Sequence, residues 1–404
     1  MRSKLLNNSS DIKCVRRPSR TTVIIFCILM IFLLTILIKS HSKTIYPVKK
    51  TVIIRKTENV SIKAIGVVNA MREEIALEME DFEIDNEVIK LTNFTPETNG
   101  IPIRSVIIST WRSGSSFFGD ILNSLPGSYY FYEPLRNLGD IQIRDGSSLV
   151  PKAEDDLHKL LKCNFSGMFQ YMHSNFVRYN TRLHKFCGTI LPFDMCTNDV
   201  TFMSNFCSIF PIQVIKEVRL RPGPAKAILM DSDLNVKIIL LIRDPRGIVS
   251  SRKREKWCLF SKDRECGDYT NLCQDLTSDF EAAKHLTKEY PQQFKVVRYE
   301  DLSLNVFAVM EDVLNFYGLP FRTEVELFLK THCTSNSGDT MSTYRDSKNV
   351  AFSWRYNLTF AEIEQLQSKC ADAMNLWGYR RFNSEGELND ETIDPIAKSF
   401  DDIF

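Results

Sequence analysis

Ser109-Thr110-Trp111-Arg112-Ser113-Gly114-Ser115-Ser116 follows an apolar run that reads as a strand, near Val106 to Ser109, and precedes a segment that reads as a helix start. Such a turn suits an anion. The first amides of a helix lack intrahelical partners and carry the positive end of its dipole; small hydroxyls and the cationic Arg112 add to them. The Walker A pattern needs a Gly five residues before its second Gly and a Lys after it, but Ser109 and Ser115 stand in those places. Without a lysine and hydroxyl pair for a triphosphate and Mg²⁺, kinase or ATPase chemistry loses its footing. Taken alone, the stretch reads equally well as a plain helix cap, for which Ser and Thr are preferred.

The second half of the reading lies downstream. Val236 to Ile242 is a short apolar run with one Lys, as expected of a buried parallel strand, and it delivers Arg243-Asp244-Pro245-Arg246-Gly247 at its C-terminal end. Ligands bind at that end of open α/β sheets. Pro245 suits the first turn of a helix carrying Ile248, Val249, Ser251 and Arg252. Arg243 and Ser251 converge on a second phosphate in this reading; the alternative is a strand-to-helix turn held by a local Arg/Asp pair. Further strands near Gln213 to Lys216 and Phe294 to Val297, with helical segments between, give an α/β fold of three layers about a central parallel sheet.

Thr110 to Phe117 and Leu241 to Arg252 together closely resemble the two nucleotide signatures of the Golgi galactose/N-acetylglucosamine/N-acetylgalactosamine 6-O-sulfotransferases. The resemblance runs from about Ile103 to Tyr379, through Phe131-Tyr-Glu-Pro-Leu135, Lys216-Glu-Val-Arg219, Asp231, Arg298-Tyr-Glu-Asp-Leu302, Ser353-Trp-Arg355 and Cys370 to Tyr379. Gly247, where many relatives carry Ala, and Trp377 depart from the pattern without removing a phosphate-binding group. The resemblance implies a P-loop-like sulfotransferase fold and 3′-phosphoadenylyl sulfate (PAPS) as sulfate donor. Arg112, Ser113, Gly114, Ser115, Ser116 and Phe117 then hold the 5′-phosphosulfate, and Arg243 and Ser251, with Arg246 and Arg252 as weaker candidates, hold the 3′-phosphate. Arg112 also serves as the cation on the departing phosphate. The implied acceptor is the 6-hydroxyl of one of those sugars in a glycan or glycosaminoglycan such as keratan or chondroitin.

Sulfuryl transfer needs a base for the attacking alcohol. Glu133 is chosen, as a carboxylate whose pKa a partly desolvated cleft raises; the competing reading is a structural Glu bound to Arg136 or a backbone amide. Lys216 and Arg219 are acceptor-side or sulfuryl-side candidates, and Glu300 and Asp301 read as scaffold. Two other function classes stay open. Asp231-Ser-Asp233 matches the Asp-x-Asp pattern of metal-dependent Golgi glycosyltransferases, although Asp and Ser also make ordinary turns. An inactive glycan-binding homologue is the third reading, against which the intact Arg112 and Arg243 count.

The domain reading divides the chain into a cytosolic tail over 1–20, an apolar signal-anchor over 21–38, a lumenal stem over 39–102, a catalytic domain over 103–383 and an acidic, solvated tail over 384–404. The 18 uncharged residues of the anchor just suffice to span a bilayer. Basic residues before it favour a type II orientation, and a cleaved signal peptide is the alternative. Within the stem, Ala64 to Glu80 reads as helical. The expected location is the Golgi membrane, with the catalytic domain in the lumen. Expected partners are a glycan or proteoglycan, the membrane through the N-terminal helix, and a second copy in a homodimer. A net charge of +1 argues against nucleic acid, and 44% hydrophobic content can bury a sizeable core in one large or two ordinary domains. Asn59, Asn93, Asn164 and Asn357 head glycosylation sequons. Nine of the eleven Cys follow the anchor, from Cys163 to Cys370. Their clusters at Cys187, Cys196, Cys207 and at Cys258, Cys266, Cys273 suggest disulfides whose connectivity stays open, with zinc as the competing reading; no metal is expected in the site.

Overall fold

Ile103–Ile108 (β1) is the middle strand of a five-stranded sheet completed by Ser128–Tyr132 (β2), Ile212–Glu217 (β3), Val236–Ile242 (β4) and Phe294–Arg298 (β5). In the computed structural model, which describes residues 60–80, 83–84, 87–88, 90–260, 265–332, 350–400 and 402–404, the order is β2-β3-β1-β4-β5. All neighbours run parallel, and Val106 pairs with Ile215 on one side and Ile238 on the other. Parallel strands need helical crossovers that cover both faces, so β1, β3 and β4 are buried almost throughout, with the polar Arg104, Gln213, Lys216 and Glu217 included. The sequence reading did not include β2. Its Ser-Tyr-Tyr-Phe-Tyr composition has no branched aliphatics, and aromatic packing takes their place: Tyr129 meets Phe206 and Phe210, and Phe131 stacks on Phe165.

The connections decide where a ligand binds. The chain leaves β1 through the helix Ser115–Asn123 toward β2 on one side, and leaves β4 through Pro245–Arg252 and Tyr269–Glu289 toward β5 on the other. Neighbouring strands whose exits diverge open a crevice at their carboxyl ends, the topological switch point. We denote as α1 the helix Val60–Glu78, as α2 Ser115–Asn123, as α3 Pro245–Arg252 and as α4 Tyr269–Glu289.

Two boundaries differ from the sequence reading. The stem expected over 39–102 is, from α1 onward, part of the folded body. Val67, Met71, Ile75 and Met79 recur every four residues and are buried, while Arg182 reaches Glu78 at 2.6 Å and the Gly127 amide donates to Glu78 at 3.1 Å. The acidic tail keeps its described acids at the surface but is tied to the body. Arg355 donates to the carbonyls of Leu388, Asp390 and Ile393, Leu388 is buried, and Phe404 packs on Phe280 and Trp377. The anchor expected over 21–38 lies outside the described residues. Among the described residues no helix is long and apolar enough to cross a membrane.

Four disulfides settle the open connectivity: Cys163–Cys207, Cys187–Cys196, Cys258–Cys266 and Cys273–Cys370. Cys333 lies outside the described residues. No group of His, Cys, Asp and Glu among the described residues is arranged to hold a metal ion. Asn93, Asn164 and Asn357 are exposed, and Asn59 lies outside the described residues.

Candidate active site

At the switch point the loop after β1 meets the loop after β4. Ser109 Oγ donates to the Leu241 carbonyl at 2.8 Å and sets their relative height. The internal bonding of α2 begins with the Phe118 amide donating to the Gly114 carbonyl at 3.1 Å. The amides of Ser115, Ser116 and Phe117 precede it, at the positive end of the helix. Gly114 has φ +93°, and a Cβ there would stand 2.3 Å from the Tyr299 ring. Only glycine lets the turn close against that tyrosine. Arg112 takes φ +70° despite its side chain; such strain persists where the surroundings hold it.

Those surroundings come from the second segment. Arg243 Nη1 donates to the Arg112 carbonyl at 3.1 Å. Arg112 Nε donates to Ser251 Oγ at 3.0 Å, and its guanidinium pairs with Glu255 at 3.1 Å. The Arg243 guanidinium lies 4.2 Å from the Tyr299 ring centre, within cation–π range. Residues some 130 positions apart in sequence thus build one pocket. Asp244 caps α3 by accepting from the Arg246 amide at 2.8 Å, and its own amide donates to Glu300 at 3.0 Å. Glu300 also accepts from Tyr379 Oη; burial, with Asp244 beside it, pushes its carboxyl up to about 7. These bonds tie the loop after β4 to Tyr379.

The pocket fits a doubly phosphorylated ligand on a specific ground. Ser113 Oγ, Ser250 Oγ and Arg243 Nε are buried without a hydrogen-bond partner. Buried polar atoms are normally paired, and orphans cost about 1–3 kcal/mol each; phosphate oxygens satisfy hydroxyl and guanidinium donors alike. Ser115 is buried at the start of α2, Ser116 Oγ lies 3.2 Å from Tyr132 Oη, and Phe117 is half-buried.

Two of the proposed phosphate ligands have other work. Arg246 is buried, donates to both oxygens of Asp244, to Gln367 and to the Arg380 carbonyl, and stacks on Trp354. It braces α3 against the C-terminal segment. Arg252 donates to the Trp111 and Cys266 carbonyls and to Thr110 Oγ1. Burial pulls it down to about 9, and it serves as a bolt behind the first loop. Sequence reading missed Ser250, Tyr299 and Glu255; Tyr299 stands inside the Arg298-Tyr-Glu-Asp-Leu302 motif, whereas Glu255 carries no sequence signal.

Glu133 closes β2 with φ +45° and is 8% exposed. The expected rise in its pKa does not occur. Burial works to raise the carboxyl, but Lys216 and Arg219 outweigh it and bring it down to about 2. Lys216 Nζ donates to one oxygen and Arg219 Nη1 to the other at 2.8 Å. Its partners are therefore the two cations read as acceptor-side or sulfuryl-side candidates, not Arg136, which pairs with Asp140. Lys216 Nζ sits 4.1 Å from the Tyr132 ring centre and the Arg219 guanidinium 5.8 Å from the Trp111 ring. Tyr132 and Trp111 thereby link the carboxylate cluster to both ends of the Arg112 loop.

Asp231-Ser-Asp233 lies at the entry to β4, the end of the sheet opposite the pocket. Asp231 accepts from the Asp233 amide at 3.0 Å and pairs with His158 and Lys162. It is a turn.

Residues 102–378 match the family model described as the sulfotransferase domain. The chain belongs to the sulfotransferase family. Among curated sulfotransferases, mouse carbohydrate sulfotransferase 5 is 27% identical over 77% of this chain and 89% of its own length. Human carbohydrate sulfotransferase 2 is 28% identical over 74% of this chain and 69% of its own. Among solved structures, the sulfotransferase domain from the Synechococcus PCC 7002 olefin synthase aligns over 70% of this chain and 97% of its own, with 18% identity and a TM-score of 0.40.

Proposed function

We propose that this sulfotransferase moves the sulfuryl group of PAPS onto a sugar hydroxyl, the 6-hydroxyl of galactose, N-acetylglucosamine or N-acetylgalactosamine in a glycan. The observation that carries the reading is the meeting of Arg112 and Arg243 at the β1/β4 switch point, with Ser113 Oγ, Ser250 Oγ and Arg243 Nε buried and unpartnered around it. Arg112, Ser113, Gly114, Ser115, Ser116 and Phe117 would take the 5′-phosphosulfate; Arg243, Ser250 and Ser251 the 3′-phosphate. The sugar acceptor is supported by the carbohydrate sulfotransferases that the chain resembles along most of its length.

In the transfer, the sugar oxygen bonds to sulfur as the bond from sulfur to the leaving phosphate oxygen breaks. Like phosphoryl transfer, this asks the protein for positioning and charge stabilisation more than covalent chemistry. Arg112 stabilises charge on the departing phosphate, and Lys216 faces the sulfuryl oxygens. Glu133 takes the hydroxyl proton. A carboxylate held near 2 is a weak base toward an alcohol, so the proton moves late, once bonding to sulfur has made the oxygen acidic.

The apolar stretch 21–38 fits a type II Golgi anchor with the catalytic body in the lumen. Four disulfides in that body suit an oxidising compartment. A glycosyltransferase reading has no support left, since Asp231 is engaged in its turn. The test is incubation of the full-length chain with ³⁵S-labelled PAPS and a panel of galactose- and hexosamine-containing glycans, followed by mapping of the labelled carbon. Label on carbon 6 supports the proposal; label on another carbon, or in no glycan, overturns it.

A further inference from the structure

Beside the catalytic pocket lies a cleft of 480 Å³ lined by Asp120, Asn123, Ser124, Arg178, Tyr179, Thr181 and Phe328. Its position follows from the fold. α2 begins in the phosphate cradle with Ser115 and Ser116 and ends in this cleft with Asn123; at 1.5 Å per residue, Asp120 and Asn123 stand roughly 6 and 10 Å beyond Ser116. Asp120 is four residues after Ser116, on the same helix face.

A stack of aromatic rings joins the two places. Ser116 Oγ meets Tyr132 Oη at 3.2 Å. The Tyr132 ring carries Lys216 Nζ at 4.1 Å from its centre and stacks on Tyr179 with centres 4.2 Å apart and planes at 15°. Phe176 lies behind, stacked on Tyr132 at 5.7 Å. Tyr179 nevertheless remains 50% exposed. An aromatic ring fixed from behind and open at the cleft, edged by a carboxylate, an amide and two hydroxyls, is the surface that a sugar ring fits: its C–H face lies on the ring and its hydroxyls find the polar edge. Among the described residues the charged lining comprises one acid, Asp120, and one base, Arg178, whose guanidinium sits 4.0 Å from the Phe193 ring centre. That balance suits a neutral sugar better than a sulfated or uronate-rich chain, which a strongly basic lining would favour.

We infer that the Tyr179 cleft is an acceptor subsite, binding a neutral sugar of the glycan next to the unit that is sulfated. This rests on the proposed sulfotransfer to a sugar, whose reacting hydroxyl sits beyond Tyr132 at Glu133 and Lys216. Tyr179 acts as a specificity residue through stacking, so its hydroxyl is dispensable and its ring is not.

The experiment uses the full-length chain and its Tyr179→Ala and Tyr179→Phe variants. Sulfate transfer is measured to a neutral galactose–N-acetylglucosamine disaccharide and to either monosaccharide, alongside the affinity for 3′,5′-ADP (PAP) and saturation-transfer NMR of the disaccharide. Tyr179→Ala is expected to raise KM for the disaccharide about tenfold, the loss of roughly 1.4 kcal/mol of stacking, with PAP affinity and monosaccharide turnover unchanged. Tyr179→Phe is expected to behave as wild type. An unchanged disaccharide KM in Tyr179→Ala overturns the inference, as does an equal loss toward monosaccharide and disaccharide. If the wild-type chain sulfates neither sugar, the catalytic reading fails, and the NMR arm decides the cleft separately: sugar protons saturated by the wild type and not by Tyr179→Ala sustain it, and equal signals overturn it.

Discussion

Replacing Arg243 with Ala removes the side chain proposed to hold the second phosphate, together with its donors to the Arg112 and Val350 carbonyls. Arg243 gives its donors to two backbone carbonyls, Arg112 at 3.1 Å and Val350 at 3.4 Å, and its Nε is buried with no partner. It contrasts with Arg246, whose side chain is bound into α3 and the C-terminal segment. A charge-assisted hydrogen bond contributes about 1.5–3 kcal/mol, so losing one to the 3′-phosphate weakens PAP binding about 10- to 150-fold. Arg243→Lys recovers part of this, because an ammonium offers a point charge where the guanidinium offers a fork. Calorimetric titration with PAP and with AMP, which lacks the 3′-phosphate, isolates the contact. The variant loses far more affinity for PAP than for AMP, and its melting temperature falls because the Arg112 and Val350 carbonyls lose a donor. Equal losses for the two nucleotides, or none for PAP, refute the reasoning.

Other outcomes follow from the same geometry. Gly114→Ala places a Cβ 2.3 Å from the Tyr299 ring at φ +93°; PAP binding falls below detection, while circular dichroism keeps the wild-type helix and sheet signal. Glu133→Gln leaves Lys216 and Arg219 without their shared carboxylate, costing about 3 kcal/mol of stability in denaturant titration and about 10²-fold or more in kcat. Because the Glu133 pKa is lowered, its stabilisation is present above the ordinary carboxylate range and lost as pH falls toward about 2; the Gln variant therefore shows a shallower acid unfolding curve than wild type. Glu300 has the opposite sign. Raised to about 7, its contribution is present below the ordinary carboxylate range and lost as pH rises through 7, so Glu300→Gln narrows the difference in melting temperature between about pH 5 and about pH 8.

The parts legible in sequence were those written in contiguous residues. β1 and β4 announce themselves as apolar runs, and the cradle and Arg243 follow directly from their C-terminal ends. What sequence could not supply was partnership at a distance. Glu133 meets its cations 83 and 86 positions away, and they turn a carboxylate expected to rise into one held down. Arg243, Arg246 and Arg252 share one motif, in which the last two read as weaker candidates; the physical reason lies in their folded neighbours, Asp244, Gln367, Thr110 and the Cys266 carbonyl. The charges of 384–404 hid the buried Leu388 and the contact of the partly exposed Phe404 with Trp377, which a count of acids overlooks.

The most direct test of sulfotransfer is a single-turnover reaction of the full-length chain with ³⁵S-labelled PAPS and a neutral galactose–N-acetylglucosamine glycan, with a chelator present. Labelled glycan and PAP forming together in equal amounts, abolished in Arg112→Ala, is the result expected. Label remaining on the nucleotide, or reaching the glycan equally well with Arg112→Ala, contradicts the account.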